Sequence, residues 1–200
     1  ATGIALSDYA IHQPYLCAIQ SGSGAVVCWG LYSGIDADVT PPPSVDGTSG
    51  GATAIAAGKF HACAIQSGSG AVICWGSNWN EYGYVGQATP PASVNGTSGT
   101  ATAVAAGEYH SCAIQAGTGA VVCWGFAFYG QAQATVPPSV DGSMGTASAI
   151  AVGITHSCAI QAGSNAVVCW NDTTPPPDSV NGTTGTASAI AAGSDRDCGI

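Results

Sequence analysis

The sequence predicts an all-β, propeller-like repeat array of antiparallel hairpin blades, about four repeats and a partial fifth, each closed by its own disulfide. Three observations carry that reading: one phrase recurs almost unchanged, cysteines pair at a constant spacing, and proline-rich turns punctuate the chain at a regular interval. The phrase is ATAIAAGKFHACAIQSGSGAVICWG from Ala52, ATAVAAGEYHSCAIQAGTGAVVCWG from Ala101 and ASAIAVGITHSCAIQAGSNAVVCWN from Ala147. A looser copy opens at Ala1 and a truncated one begins at Ala187, which divides the chain into units 1–51, 52–100, 101–146, 147–186 and a partial unit 187–200. A period of roughly 40–50 residues is that of propeller blades and exceeds that of the shorter leucine-rich or ankyrin-type units.

Within a unit, the apolar run Ala54–Ala57 ends at Gly58, and His61–Gln66 and Ala71–Trp75 then flank the turn Ser67-Gly68-Ser69-Gly70. Two such runs around a glycine-rich turn make a hairpin. Setting Gln66 opposite Ala71 places Ile65 against Val72, Ala64 against Ile73 and Cys63 against Cys74. Directly facing residues bring their Cβ atoms to roughly 4.5–5.5 Å, close to what a disulfide spans. The same geometry pairs Cys17 with Cys28, Cys112 with Cys123 and Cys158 with Cys169. Cys198 has no counterpart eleven residues on and is expected to be unpaired or to bond between molecules. Nine cysteines in this pattern predict an oxidising, extracellular or cell-surface setting, reached by a chain whose leader has been removed.

Alternation puts Cys63, Ile65, Val72 and Cys74 on one face and Ala64, Gln66, Ala71 and Ile73 on the other. Both faces are apolar, so each sheet has to be sandwiched between neighbours. Trp29, Trp75, Trp124 and Trp170 each follow the second cysteine of a pair and are expected to pack between blades. All prolines but Pro14 fall in the turn phrases, as Pro41, Pro42 and Pro43, Pro90 and Pro91, Pro137 and Pro138, and Pro175, Pro176 and Pro177. These phrases are expected to be solvent-facing turns and short polyproline stretches.

Only 6% of the residues are charged, and Lys59 and Arg196 are the sole strong cations against eleven carboxylates, for a net charge of -9. Such a chain cannot neutralise a run of phosphates or an anionic lipid surface, so nucleic acid is excluded as a partner. No apolar stretch nears the ~20 residues of a spanning helix, which argues against membrane insertion.

His61, His110 and His156 recur in Gly-x-x-His-x-Cys, with His12 displaced in the first unit and Arg196 standing in the last. Because each cysteine already has a hairpin partner, a structural role at the blade interface, hydrogen-bonded to backbone, is preferred over zinc ligation. No cofactor or metal is expected. The pairs Asp36/Asp38 and Asp195/Asp197 lack the ligand run of a calcium loop. No catalytic triad, phosphate loop or zincin spacing is present, and no enzyme activity is expected. The aromatics Trp79, Tyr82, Tyr84, Phe126, Phe128 and Tyr129 sit in variable stretches after the tryptophan of their unit. They are candidates for stacking on sugars or on a protein partner, with packing against the proline phrases as the alternative. Asn95-Gly-Thr97, Asn171-Asp-Thr173 and Asn181-Gly-Thr183 are N-glycosylation acceptors in or beside the turn phrases. The proline clusters look like hydroxylation and O-glycosylation targets of algal and plant wall glycoproteins.

The pattern Gly-x-x-His-x-Cys-Ala-Ile followed by Val-Cys-Trp-Gly resembles the regulator of chromosome condensation repeat, in a secreted form with a cysteine in each hairpin strand. The resemblance implies a β-propeller, commonly of seven blades. It does not carry over the family's nucleotide-exchange and chromatin roles, whose basic residues are missing here. The NGTSGTA-type turns, CAIQ hairpins and proline clusters are also similar to the large glycoproteins of green-algal flagellar mastigonemes. The sequence therefore points first to a non-catalytic, extracellular, glycosylated structural protein of a filament or coat such as a mastigoneme, flagellar or in the cell wall. Its partners would be itself or other filament glycoproteins. The alternative is a propeller binding module, a lectin or protein-interaction platform, using the variable inter-repeat loops at residues 30–39, 76–88 and 125–135.

Overall fold

A computed structural model of the 200-residue chain describes residues 1–7, 15–30, 39–80, 83–126, 135–171, 174–193 and 197–199. These form four three-stranded antiparallel sheets and a two-stranded beginning of a fifth. The first sheet is β1 (Gly3–Leu6), β2 (Tyr15–Ile19) and β3 (Val26–Gly30). The second is β4 (Ala52–Ala57), β5 (His61–Gln66) and β6 (Val72–Gly76), and a small hairpin of β7 (Trp79–Asn80) and β8 (Gly83–Tyr84) follows it. The third is β9 (Ala101–Ala106), β10 (His110–Gln115) and β11 (Val121–Gly125); the fourth is β12 (Ala147–Val152), β13 (Ser157–Gln161) and β14 (Val167–Trp170). β15 (Ile190–Ala192) and β16 (Asp197–Gly199) pair at the end.

The hairpin registers are those the sequence implies, with Ile65 facing Val72, Ala64 facing Ile73 and Cys63 facing Cys74. The apolar run before each hairpin is a full third strand, which makes the cysteine strand the middle of its sheet. Near the start of that inner strand the register slips at Thr53, Thr102 and Ser148, one bulge repeated in three sheets. All four cysteine pairs are bonded, each with Cα atoms 4.1 Å apart.

Neighbouring sheets stack in chain order, and the two faces of each sheet serve two different seams. Cys63, Ile65 and Val72 pack on Ala113 and Trp124 of the next sheet, while Ala62, Ala64 and Trp75 pack on Tyr15, Cys17 and Ile19 of the one before. Trp75, Trp124 and Trp170 are buried as expected, whereas Trp29, in the first described sheet, is 50% exposed. The inner strands β1, β4, β9, β12 and β15 contact one another in succession around an axial cavity of about 140 Å³. Leu6 and Gly193, from the first and last of them, line the same cavity.

The proline phrases are turns, as expected, with prolines such as Pro43, Pro138 and Pro175 exposed, but each turn also faces inward. In each, one proline carbonyl accepts from the backbone N–H groups three and four residues on, as Pro42 does from Val45 and Asp46. The chain is thereby wound into a tight turn that buries Val45, Val94 and Val140 completely. Each of these valines then accepts from the outer strand, Val26 N–H to the Val45 carbonyl and Val72 N–H to the Val94 carbonyl. The turn is a buttress for the outer strand, with part of each proline cluster at the surface. A clamp from the next unit holds it: Gln66, Gln115 and Gln161 side-chain amides donate to the Ser44, Ser93 and Ser139 carbonyls.

Replacing Cys63 and Cys74 together by alanine is expected to lower stability by about 2–3 kcal/mol, the loop-closure value for so short a bridge. Urea unfolding monitored by tryptophan fluorescence measures it, and a loss below about 1 kcal/mol would show that seam packing alone holds the hairpin.

Candidate functional site

The repeated histidines lie inside the seams. His61 is fully buried, and its Nε2 lies 2.7 Å from the Ser111 hydroxyl of the next sheet. His110 repeats the contact with Ser157 at 2.9 Å. Beyond the backbone contact that the sequence reading expected, seen for His110 at His156, the cross-seam partner is a side-chain hydroxyl about fifty residues along the chain. Ser111 donates to the Gln87 carbonyl, so it accepts from the histidine, which must carry its proton on Nε2. Its hydroxyl hydrogen is therefore committed and does not serve as a nucleophile's proton, although histidine and serine are in contact.

Burial, with the facing His110 ring adding to it, drives the His61 pKa down to about 3. Burial, then the neighbouring His156, lowers His110 to about 4. Both rings are neutral at physiological pH. The Nδ1 atoms of both have no partner among the described residues. Each ring lies over the glycine that opens its motif. A Cβ on Gly58 would come within 2.7 Å of His61 Cε1 and would also collide with the Gly107 carbonyl oxygen. The Gly-x-x-His spacing is thus a steric requirement of the seam. Among the described residues no three His, Cys, Asp or Glu side chains gather as a metal site.

In the first unit the equivalent position belongs to Tyr15, which faces Gly30 as His61 faces Gly76. The sequence reading assigned that role to His12, which lies outside the described residues together with Arg196. Position 62 in the following sheet is alanine, so no hydroxyl is available there. The longer Tyr15 phenol donates instead to the carbonyls of Gly58 at 3.0 Å and His61 at 2.5 Å.

Of the candidate binding aromatics, Trp79 and Tyr84 are 57% and 59% exposed. They meet edge to face at 5.6 Å across the β7–β8 hairpin, a favourable quadrupole arrangement. The hairpin stands on a rigid base. The Asn78 side chain accepts from Ala88 N–H at 2.8 Å, and Ser77 Oγ accepts from Trp79 N–H at 3.0 Å. Gln87, fully buried, lends its carbonyl to the Trp124 indole N–H, which ties this loop to the next sheet. Phe126 behaves differently, packing edge to face on Tyr109, which itself stacks on Phe60 at 5.2 Å. Lys59 reaches over these two rings to Glu108, bridging the second and third sheets beside the axial cavity. Tyr82, Phe128 and Tyr129 lie outside the described residues, as do the side chain of Cys198, the residues Asp36, Asp38 and Asp195, and the last two residues of the Asn171 sequon.

The Asn95 and Asn181 sequons occupy the turn that buttresses each outer strand. There Asn95 Oδ1 accepts from Thr97 N–H and Asn181 Oδ1 from Thr183 N–H. Asp46 and Asp141 make the same contact with Thr48 and Ser143. An Asx side chain is what this turn requires; the threonines of both sequons are exposed, while Asn95 and Asn181 are half-buried with Nδ2 donating to the Pro90 and Pro176 carbonyls.

Because His61 and His110 titrate well below 6.5 when folded, the unfolded chain binds more protons below that pH. Stability is therefore complete above about pH 6.5 and falls as pH drops toward 4, by about 1.4 kcal/mol per pH unit for each histidine. Urea midpoints between pH 7.5 and 4 measure the slope. The double variant His61→Gln/His110→Gln is expected to be less stable at neutral pH and to lose most of that dependence; an unchanged slope would assign it to carboxylates instead.

Residues 52–83 and 101–131 match the family model "Regulator of chromosome condensation (RCC1) repeat". No curated protein sequence matches the chain significantly. Among solved structures it is similar to the entire ectodomain of the Physcomitrella patens receptor kinase CR4, at 26% identity and a TM-score of 0.67, over 98% of this chain and 49% of that one. The CRINKLY WD40 ectodomain of the Arabidopsis thaliana receptor kinase ACR4 aligns at 19% identity and a TM-score of 0.57, over 98% and 90%. Human WBSCR16 aligns at 13% identity and a TM-score of 0.62, over 96% and 57%. The last two likenesses concern the fold alone. The chain spans about half the length of the Physcomitrella ectodomain. Four hairpin disulfides, with the likeness to the Physcomitrella ectodomain, point to an extracellular setting. Two segments of the chain therefore match RCC1 repeats, and the described sheets form a propeller-like array in which the hairpin of each three-stranded sheet is closed by a disulfide.

Proposed function

We propose that the chain is a non-catalytic extracellular interaction module, in which the stacked sheets are scaffold and the variable loops recognise a protein or glycan partner. The observation that carries this reading is the Trp79–Tyr84 pair, two large aromatics held in the open on a hairpin whose base is hydrogen-bonded into a seam. Exposed aromatics on a preorganised support lose little entropy on binding and supply most of the energy at recognition surfaces. The likeness to receptor ectodomains agrees with an extracellular module of this kind. The buried, neutral histidines and the committed Ser111 hydroxyl leave the conspicuous His–Ser contacts to structure rather than chemistry. Glycan-array screening and panels of extracellular protein domains are the first test. Trp79→Ala is expected to weaken any captured ligand roughly tenfold or more, while shifting stability by less than about 0.5 kcal/mol because the side chain is exposed. A ligand bound equally well by Trp79→Ala and Tyr84→Ala would remove this surface from the proposal.

A second reading, a glycosylated structural subunit of a filament or coat such as a mastigoneme, is favoured by the exposed Asx turns that recur along one line of units. Glycans at Asn95 and Asn181, and on the exposed prolines, would supply the solubility that charge does not. Enzymatic release of N-glycans in heavy-oxygen water, followed by peptide mass spectrometry of native material, marks each occupied asparagine. Asn95→Asp is expected to remove the glycan and leave stability within about 0.5 kcal/mol, since aspartate makes the same turn contact at positions 46 and 141. An unmodified Asn95 and Asn181 in native material would sink the glycoprotein part of this reading.

A further inference from the structure

Trp79 and Tyr84 are held in different ways, and the difference says what the pair can take. Tyr84 is fixed along its side chain. Its hydroxyl lies 3.1 Å from Thr89 Oγ1, and its ring rests against Gly86, where a Cβ would stand 3.4 Å from Tyr84 Cε1. Trp79 is fixed through its backbone, because Ser77 Oγ accepts from its N–H and donates to its carbonyl. The indole itself is 57% exposed, and its Nε1–H makes no hydrogen bond among the described residues. The seam tryptophans differ in this respect, since Trp75 and Trp124 give theirs to the Val39 and Gln87 carbonyls.

The polar atoms beside the indole have a fixed direction. Thr89 Oγ1 donates to Asn78 Oδ1 at 3.2 Å, and Ala88 N–H holds that oxygen in place at 2.8 Å. Thr89 therefore accepts from Tyr84, and the Tyr84 phenol oxygen is left as an acceptor. The hairpin thus offers one flat platform, a donor on Trp79 and an acceptor on Tyr84. With the ring centroids 5.6 Å apart, a single residue of a ligand can touch both.

A pyranose matches this set. Its C–H face stacks on an aromatic platform, and each hydroxyl at its rim both donates and accepts, so neighbouring hydroxyls serve the indole N–H and the phenol oxygen together. A proline-rich peptide matches half of it: its carbonyls suit the indole, but proline has no N–H for the Tyr84 oxygen. The stretch 77–89 has no basic residue and one carboxylate, Glu81, in a chain of net charge -9. Sulfated and uronic sugars are repelled by that field. Building on the assignment of this hairpin as the recognition surface, we propose that it binds an uncharged glycan, one sugar ring stacked on the Trp79 indole with its hydroxyls bridging the indole N–H and the Tyr84 oxygen. No ion pair forms, so the affinity is independent of salt.

The test presents the oxidised 200-residue chain to an array of uncharged, sulfated and uronic-acid glycans and to a proline-rich peptide, at low and high salt. Capture by uncharged glycans, unchanged by salt, is the expected result. Trp79→Ala is expected to weaken it roughly tenfold or more. Trp79→Phe keeps a platform without the N–H, and Tyr84→Phe keeps the ring without the oxygen. Each is expected to weaken capture roughly two- to tenfold, the worth of one hydrogen bond, with unchanged circular dichroism and melting. Capture of the peptide or of anionic glycans alone, lost in Trp79→Ala, would overturn the glycan assignment and leave the recognition surface standing. Glycans held equally well by Trp79→Ala and Tyr84→Ala would overturn both. Silence across the uncharged glycans would overturn the glycan assignment alone, the panel of protein domains then deciding the surface.

Discussion

The four three-stranded sheets are apolar on both faces, so each gains stability by burying those faces against its neighbours. The burial of Ala62, Ala64, Cys63 and Ile65 on one middle strand, alternating between two neighbours, is the direct expression of that constraint. Stacking satisfies it, and the rest of the architecture follows from the stack. Small alanines let the sheets approach closely, and one tryptophan per unit seals the outer edge of each seam. The scarcity of charge belongs to the same logic. A chain that spends its strands on seams has little surface left for ions, and its one described ion pair, Lys59 with Glu108, itself bridges two sheets.

Apolar faces alone would let neighbouring sheets slide, and three polar contacts set the register. The glutamine of the second, third and fourth CAIQ segments clamps the turn of the preceding unit, the tryptophan indole reaches back to a loop carbonyl, and a histidine or tyrosine reaches forward across the seam. The forward contact adapts to what it meets. Where the next sheet offers serine the residue is histidine, and where it offers Ala62 the residue is Tyr15, long enough to find backbone oxygen instead. Two neutral rings enclosed in successive seams also make the array sensitive to acid, because protons reach them only when the sheets part.

A scaffold fixed in this way can carry loops of any length between its units. The loop after the second tryptophan illustrates it: the buried Gln87 anchors one end in a seam while Trp79 and Tyr84 stand clear of the surface. The corresponding Phe126 folds inward onto Tyr109, so two loops at equivalent positions have diverged into display and packing. A disulfide in the hairpin of each three-stranded sheet suits such a module to an oxidising environment, where each of these sheets keeps its cross-link independently of its neighbours.

Strand pairing, the cysteine partners and the two-sided burial were legible in the sequence, because they depend on alternation with period two and on spacings inside one hairpin. The family resemblance rested on the same local phrases. What lay beyond reach were contacts between units. The apolar run at Ala54 was visible, but not that it would be the inner strand against the axis. The prolines announced turns, yet Val45, Val94 and Val140 became buttresses only because an outer strand runs past them. The histidines stood out by repetition, while their serine partners and the substitution of Tyr15 for His12 were decided by which residue a neighbouring sheet brings opposite. The bare face of the first sheet is the same kind of fact. Val27 and Trp29 read like Ile73 and Trp75 of the second unit, and only the stack shows that nothing among the described residues covers them. Local periodicity determines how one blade folds, and the packing of one blade on the next decides which of its surfaces remain available.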